Sequence, residues 1–303
     1  MKSFLLLTTL SIAISLNGKQ LDMGKISQDA NWLVHMDFQS MRSSAIGTFI
    51  EESYQNISEV ERKINEVQKK YGLNLMKTEN LTMFGDGERH KGIGILEGGV
   101  DASIVNRFAQ SKETIEASKM GKNTIFSTQK GRRPMAFAAL KNGKMVFGPD
   151  RDFVSEGIFL AKNKGSRVSA YPMIESLNEL MDNPGLVFFA NMKGAKEVAE
   201  LDQWVRLMTD KIDSCGMVIG DQDGGLKIIG LVQTNSIESS EAMENMIRGG
   251  VAMMDMKVKN DERMKNFLEG YKVVREGNII RVEIELSNSL IIERIQKEMK
   301  KAV

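Results

Sequence analysis

The chain of 303 residues carries 41 basic and 40 acidic side chains, and its formal charge of +1 gives no reason to expect a polyanionic partner such as nucleic acid. Its single cysteine excludes an intramolecular disulfide and the paired thiolates of a structural zinc site. With 27% charged and 42% hydrophobic residues, the composition is typical of a globular protein, and the length suggests about two domains.

Residues 1–18 are predicted to form a cleavable secretory signal. Lys2 precedes an apolar run from Phe4 to Leu16 that is too short to span a bilayer, and small residues follow at Ser15 and Gly18. A buried N-terminal helix is the alternative. A lipid anchor would need a cysteine directly after the run, whereas the single cysteine is Cys215. We therefore expect a released protein, periplasmic or secreted, with no membrane segment after signal removal.

An α+β unit is predicted over residues 19–165. It begins with a strand from Trp32 to Met36, and helices follow over Gln39 to Tyr54 and Ser58 to Tyr71, with Gly72 just past the second. The pattern then predicts a hairpin, a helix, a three-stranded meander and a second helix: Leu81 to Phe84, Ile93 to Leu96, a helix capped by Asp101, Thr124 to Thr128, Met135 to Leu140, Lys144 to Phe147 and a helix capped by Asp150.

Residues 166–303 are predicted to form a second, similar unit. An ungapped shift of 135 positions overlays Met83 and Phe84 on Val218 and Ile219. The remaining elements follow the same plan: strands at Leu186 to Ala190, Tyr271 to Arg275 and Ile279 to Leu286, and helices over 195–213 and Ser289 to Lys300.

The predicted fold class is thus α+β, with two tandem similar units. Each would be an antiparallel sheet of four or five strands with helices packed on one face, because hairpins cannot be parallel crossovers. Sheet edges that pair across the two units would give one continuous sheet. Chance similarity is the alternative, since any hairpin followed by a helix resembles any other.

Candidate chemistry is sparse. His35 and Asp37 lie on one side of the first strand, and Asp37 could orient the imidazole of a general base; the alternative is that Asp37 caps the next helix. Asp221 and Asp223 resemble the start of a calcium loop, but Val232 stands where a bidentate glutamate is required, and a hairpin turn is the simpler interpretation. No cofactor motif occurs, so we expect no cofactor.

Methionines are frequent, with 21 in the chain. Met243, Met246, Met253 and Met254 follow one helical face that we expect to be broken at Gly249-Gly250. Core packing is the main interpretation, and an adaptable methionine-lined binding groove is the alternative.

The layout resembles that of a group of uncharacterised exported bacterial proteins. The resemblance lies in the signal sequence, the strand from Trp32 to Asp37, the hairpin from Leu81 to Glu97 and the segment from Lys144 to Arg151. It implies export and a duplicated α+β domain, and it carries no active residues across.

These observations predict an exported, non-enzymatic binding or envelope-associated protein. Its partner would be an unknown protein or an apolar ligand held between sheet and helices. The alternative is a hydrolase-like enzyme with a site near His35 and Asp37. A third hypothesis, structural assembly through exposed sheet edges, predicts a stable oligomer.

Overall fold

The computed structural model describes residues 21–55, 58–88, 90–128, 134–162, 172–192, 210–257, 268 and 270–302. The predicted signal sequence and the boundary predicted between residues 165 and 166 lie outside these ranges, as do most residues of the helix predicted over 195–213. Within the described ranges the protein is α+β, with one antiparallel sheet of twelve strands.

The strands in chain order are β1 (Trp32–Asp37), β2 (Asn80–Gly85), β3 (Ile93–Glu97), β4 (Ile115–Met120), β5 (Asn123–Thr128), β6 (Met135–Leu140), β7 (Lys144–Gly148), β8 (Leu186–Asn191), β9 (Ile212–Gln222), β10 (Gly225–Thr234), β11 (Tyr271–Glu276) and β12 (Ile279–Ser287). Their order across the sheet is β11-β12-β10-β9-β8-β1-β2-β3-β7-β6-β5-β4. Strands β1 and β8 pair antiparallel at the centre, so the two halves of the chain share one continuous sheet.

The α-helices of the described chain are α1 (Phe38–Ser43), α2 (Ala45–Gln55), α3 (Ser58–Tyr71), α4 (Ala102–Gln110), α5 (Arg151–Leu160), α6 (Pro172–Glu179), α7 (Ile237–Lys257) and α8 (Asn288–Ala302). Several begin and end where the sequence predicts. The carboxylates of Asp101 and Asp150 accept hydrogen bonds from the first turns of α4 and α5. Gly72 follows α3 with a φ of 71°, a left-handed conformation that favours glycine.

The main hydrophobic core lies on one side of the sheet, which we call the core face. Helices α5 and α6 pack there. Two cross-strand rows supply much of it: Ile229, Val218, Val187, His35, Thr82, Ile95 and Val146 in one, and Leu231, Gly216, Phe189, Leu33, Phe84 and Ile93 in the other. Leu33, Phe84 and Phe189 are each 1% exposed, so the two halves are joined by packing as well as by hydrogen bonds.

Helices lie on both sides of the sheet, and the prediction that they pack on one face only is wrong. Helix α5 covers Val146 and Ala138 on the core face, whereas Val105 of α4 packs against Ala139 on the opposite side, the cavity face. The reason is local: β6 is apolar at successive positions, so both of its surfaces must be covered.

The sheet also differs from the prediction in strand number. The first half supplies seven strands, from β1 to β7, where four or five were expected, whereas the five strands of the second half, β8 to β12, agree with the expectation. Strand β4 escapes sequence analysis because it lies at the sheet edge and half of its side chains are exposed, which removes the apolar alternation of a covered strand.

The ungapped shift of 135 positions does not preserve the faces of the sheet. It overlays Phe84 on Ile219, but Phe84 lies on the core face beside Leu33, while Ile219 pairs with Leu186 on the cavity face. Because side chains alternate along a strand, a shift that is wrong by one residue inverts every position. The overlay is therefore incorrect, although each half places its strands in a similar order around β1 and β8.

Candidate functional site

A groove of about 1250 Å³ opens on the cavity face, between the sheet and the helices α2, α3 and α8. We call it the α2–α3 groove. Its walls are mainly aliphatic. The helices contribute Ile46, Ile50, Val60, Ile64 and Ile291. The sheet contributes Leu186, Ile219 and Leu226.

The fold positions these walls through a sharp elbow between α1 and α2. Ser44 leaves the helical conformation with a ψ of 158°, so the predicted single helix over Gln39 to Tyr54 is in fact two. The Ser44 hydroxyl donates to the Met41 carbonyl at 2.7 Å, and Arg42 Nη2 donates to the Thr78 carbonyl at 2.7 Å. These bonds hold the elbow against the sheet, which lets α2 and α3 arch over β8 and β9.

Asp221, a candidate metal ligand, anchors the groove. Its Oδ2 accepts a hydrogen bond from the Ala45 backbone N–H at 2.9 Å, at the start of α2. Asn288, the first residue of α8, donates to the same carboxylate at 3.1 Å. One carboxylate therefore ties together the β9 end and two helices of the wall.

The predicted hairpin turn after Asp221 is present, with positive φ angles at Asp223 and Gly224 of 55° and 81°. Among the residues that the structure describes, no three His, Cys, Asp or Glu side chains are grouped so that they could hold a metal ion. Of the two candidate metal ligands, Asp221 bonds the start of two helices and Asp223 lies in the turn, and the metal-site hypothesis stays a prediction.

The charged residues of the groove lining are mostly acidic. Glu51, Glu61, Asp182 and Asp221 line the groove, and Arg42 is the one cation among its described lining residues. Arg42 is already engaged with the Thr78 carbonyl. A ligand with an anionic end would therefore meet like charges in the groove.

His35 and Asp37 lie elsewhere, on the core face. His35 is 3% exposed, and its Nδ1 lies 2.9 Å from the Thr82 hydroxyl oxygen. Asp37 accepts from the backbone N–H groups of Gln39 and Ser40, both at 2.9 Å, and so caps α1. Neither residue lines the α2–α3 groove. The enzyme hypothesis built on this pair stays a prediction.

A buried cluster of ion pairs also lies on the core face. Glu97 bridges two cations, with Lys25 Nζ at 2.8 Å and Lys144 Nζ at 2.6 Å. Burial alone would raise the pKa of Glu97, but the hydrogen bonds from Lys144 and Lys25 outweigh it and lower the pKa to about 2. This cluster pins the segment around Lys25 to the sheet, and sequence analysis missed it because its members are far apart in the chain.

Helix α7 divides its methionines between core and surface. Met243 is 3% exposed beside Val273 and Ile280, whereas Met253 and Met256 are 58% and 67% exposed. The helix is continuous through Gly249-Gly250, so the predicted break is absent. Of Met243, Met253 and Met256, only Met243 packs in the core.

Cys215 lies part-buried on β9, and burial raises the pKa of its thiol. A raised pKa disfavours the reactive thiolate.

The described helices include none that is long and apolar enough to cross a membrane.

The fold is similar to that of solved crystal structures, although no sequence relative was found. No protein-family model matches the chain, and no curated protein matches it in sequence. Crystal form III of the treponemal protein TP0453 superposes with a TM-score of 0.53 at 8% identity, over 91% of this chain and 98% of that chain. Crystal form IV gives 0.51 at 8% identity, over 93% and 98%. At this identity the similarity shows a shared fold alone.

Proposed function

We propose that this chain is an exported, non-enzymatic binding protein that holds an extended apolar ligand in the α2–α3 groove. The observation that carries the proposal is the groove itself, a space of about 1250 Å³ with aliphatic walls on three helices and the sheet. Pockets for drug-sized ligands measure about 300 to 1000 Å³, so a longer ligand such as an alkyl chain suits this one better.

The distribution of polar groups supports binding through apolar contact. The groove lining combines isoleucines and leucines with a few charged side chains, a combination that suits an amphiphile with one polar end. The described charged residues of the lining are mostly acidic, which favours a neutral or cationic end over a carboxylate or sulfate.

The hydrolase alternative has less support. His35 and Asp37 are buried, and the Asp37 carboxylate is committed to the N-terminus of α1. A general base must come within hydrogen-bond reach of its substrate, and neither lines the α2–α3 groove.

The test is a titration with the neutral fluorescent probe N-phenyl-1-naphthylamine, displaced by dodecanol, dodecyltrimethylammonium or dodecanoate. Ile219→Trp fills the groove floor, so we expect it to weaken probe binding about tenfold or more. The matched control is Ile237→Trp on α7, where the side chain is 54% exposed and outside the groove; its affinity should equal that of the unmodified protein.

A groove that works as proposed should bind dodecyltrimethylammonium more tightly than dodecanoate. Equal probe affinity in the unmodified protein and the Ile219→Trp variant would contradict the proposal, provided that circular dichroism shows both to be folded. Probe binding lost equally in the Ile237→Trp control would also contradict it.

Export and duplication are parts of the same proposal. Export rests on the sequence of residues 1–18, and its test is the N-terminal mass of the protein recovered from the periplasm or medium of an expressing cell. We base duplication on the strand orders β1-β2-β3-β7 and β8-β9-β10-β12, which run outward from the central β1–β8 pair in the same sense.

A further inference from the structure

A second hollow lies on the cavity face, at the other end of β1. It measures about 540 Å³, and we call it the Trp32 pocket. Its apolar lining includes Trp32, Met83 and Phe147. The register separates it from the α2–α3 groove: its Ala190 pairs with Trp32 at one end of β1, whereas the groove's Leu186 pairs with Met36 at the other.

Glycines let both aromatic rings lie against the backbone of the sheet. A Cβ atom at Gly85 would stand 2.8 Å from Trp32 Nε1, and one at Gly92 would stand 2.9 Å from Trp32 Cζ2. The Phe147 ring covers Gly94 in the same way. Larger residues at these positions would push the rings away from the sheet. The result is a platform of two aromatic rings that line one open pocket.

Polar groups beside the platform have no partner inside the described chain. The indole N–H of Trp32 and the side-chain amide of Asn31 make no hydrogen bond to any described residue, although both line the pocket. Unsatisfied donors and acceptors in a part-buried site cost stability unless water or a ligand bonds them. The pocket therefore offers apolar faces and an edge that can both donate and accept.

Among the described residues that line the pocket, the acidic and basic charges are balanced. Glu88 and Lys91 both line the pocket and form an ion pair with each other. His90, between them in sequence, has a φ of 64° and is exposed at the rim. A charged ligand would have to compete with the existing pair, so a neutral ligand fits this rim best.

We propose that the Trp32 pocket binds a neutral pyranose sugar ring. The C–H face of such a ring packs on aromatic side chains, and its hydroxyls can bond the Asn31 amide and the Trp32 N–H at the edge. A flat aromatic hydrocarbon would satisfy the platform but would leave those polar groups unbonded. The volume of about 540 Å³ suits one or two sugar rings, being in the range of small-ligand pockets.

The experiment follows the fluorescence of Trp32. The chain has two tryptophans, so Trp204→Phe leaves Trp32 as the single reporter in the full-length protein. We would titrate it with methyl β-glucopyranoside, methyl β-galactopyranoside, N-acetylglucosamine, cellobiose and chitobiose. The aromatic compounds 3-methylindole and p-cresol fluoresce themselves, so their binding would be measured by isothermal titration calorimetry. At least one sugar should give a saturable change, and the aromatic compounds should bind more weakly.

Two variants of the pocket lining test the contacts on which the proposal depends. Asn31→Ala removes the amide and Phe147→Leu removes one aromatic face, and each should weaken sugar binding about fivefold. Phe108→Leu is the control, since Phe108 packs on Tyr71 and is outside the pocket. No saturable change with any sugar, unchanged affinity in both variants, or preference for the aromatic compounds would each overturn the proposal. Binding of N-phenyl-1-naphthylamine to the α2–α3 groove is measured in a separate titration. Failure of the sugar proposal would therefore leave the groove proposal standing, and the reverse also holds.

Discussion

The core face and the cavity face of the sheet differ in how fully they are covered. On the core face the buried charges are paired: Glu97 sits between Lys25 and Lys144, and Asp37 caps α1. On the cavity face two hollows remain, and the Trp32 and Asn31 side chains lack partners in the described chain. The paired charges of the closed face stabilise the fold, whereas the two proposed binding sites lie on the face that is left more open.

The largest expected effect tests the closed side. Glu97→Leu would remove the carboxylate that both lysines share, leaving Lys25 Nζ with Asp22 Oδ2 at 3.6 Å and Lys144 Nζ with the Ala161 carbonyl oxygen at 3.2 Å, and should lower the free energy of unfolding by about 3 kcal/mol. Urea unfolding followed by circular dichroism measures it. The control Glu66→Gln removes an exposed partner of Arg62 and should cost less than about 1 kcal/mol. Similar costs for the two variants would show that the buried cluster contributes little.

Acid should act through the same carboxylate. The folded-state pKa of Glu97 is about 2 against an ordinary value of 4.5, so its ionised form stabilises the fold at neutral pH. That contribution, about 2 kcal/mol after allowance for solvent screening, should be lost as the pH falls from about 4.5 to about 2. Urea unfolding across this range should show a steeper decline for the unmodified protein than for Glu97→Gln. Parallel declines would contradict the assignment.

Alanine substitutions at two glycines compare helix α5, which is closely packed at Gly157, with helix α7, which is open at Gly249. A Cβ at Gly157 of α5 would lie 2.8 Å from Ile93 Cγ2, so Gly157→Ala should destabilise the protein by about 1 to 3 kcal/mol. No atom lies within 4 Å of a Cβ at Gly249 of α7, and Gly249→Ala should instead stabilise it by about 0.4 to 1 kcal/mol. Thermal unfolding gives both signs, and a stabilising Gly157→Ala would mean that the core face is loosely packed.

The smallest expected effect concerns the groove anchor. Asp221→Ala removes the acceptor of the Ala45 N–H and the Asn288 amide, and should cost about 1 kcal/mol of unfolding free energy. Because α2 loses its tie to β9, naphthylamine affinity should fall as well. Asp223→Ala, in the adjoining turn, is the matched control for affinity. Equal probe affinities in the two variants would show that the bonds of Asp221 do not contribute to ligand binding in the groove.

Local features of this fold were predictable from sequence because their causes are local. Asp101 and Asp150 cap helices through their own side chains, and Asn142-Gly143 closes the β6–β7 hairpin with a positive φ at Gly143. The continuous sheet needed only one further step, the pairing of β1 with β8.

The groove could not be predicted in this way. Val60 and Ile64 carry helical spacing that indicates a buried stripe, but the spacing does not say whether another residue or a cavity faces it. Asp221 resembles a calcium-loop residue in sequence, and its bond to Ala45 spans 176 positions. Contacts of that separation, like the bridge from Lys25 to Glu97, are set by the assembled sheet.

Photo-crosslinking with an alkyl diazirine tests most directly that the cavity face is the binding side. After irradiation, peptide mapping should place the label on α2, α3 and β9, around Ile50, Ile64 and Ile219, and Ile219→Trp should abolish it. Labelling confined to the exposed methionines of α7, or unchanged by Ile219→Trp, would contradict the account.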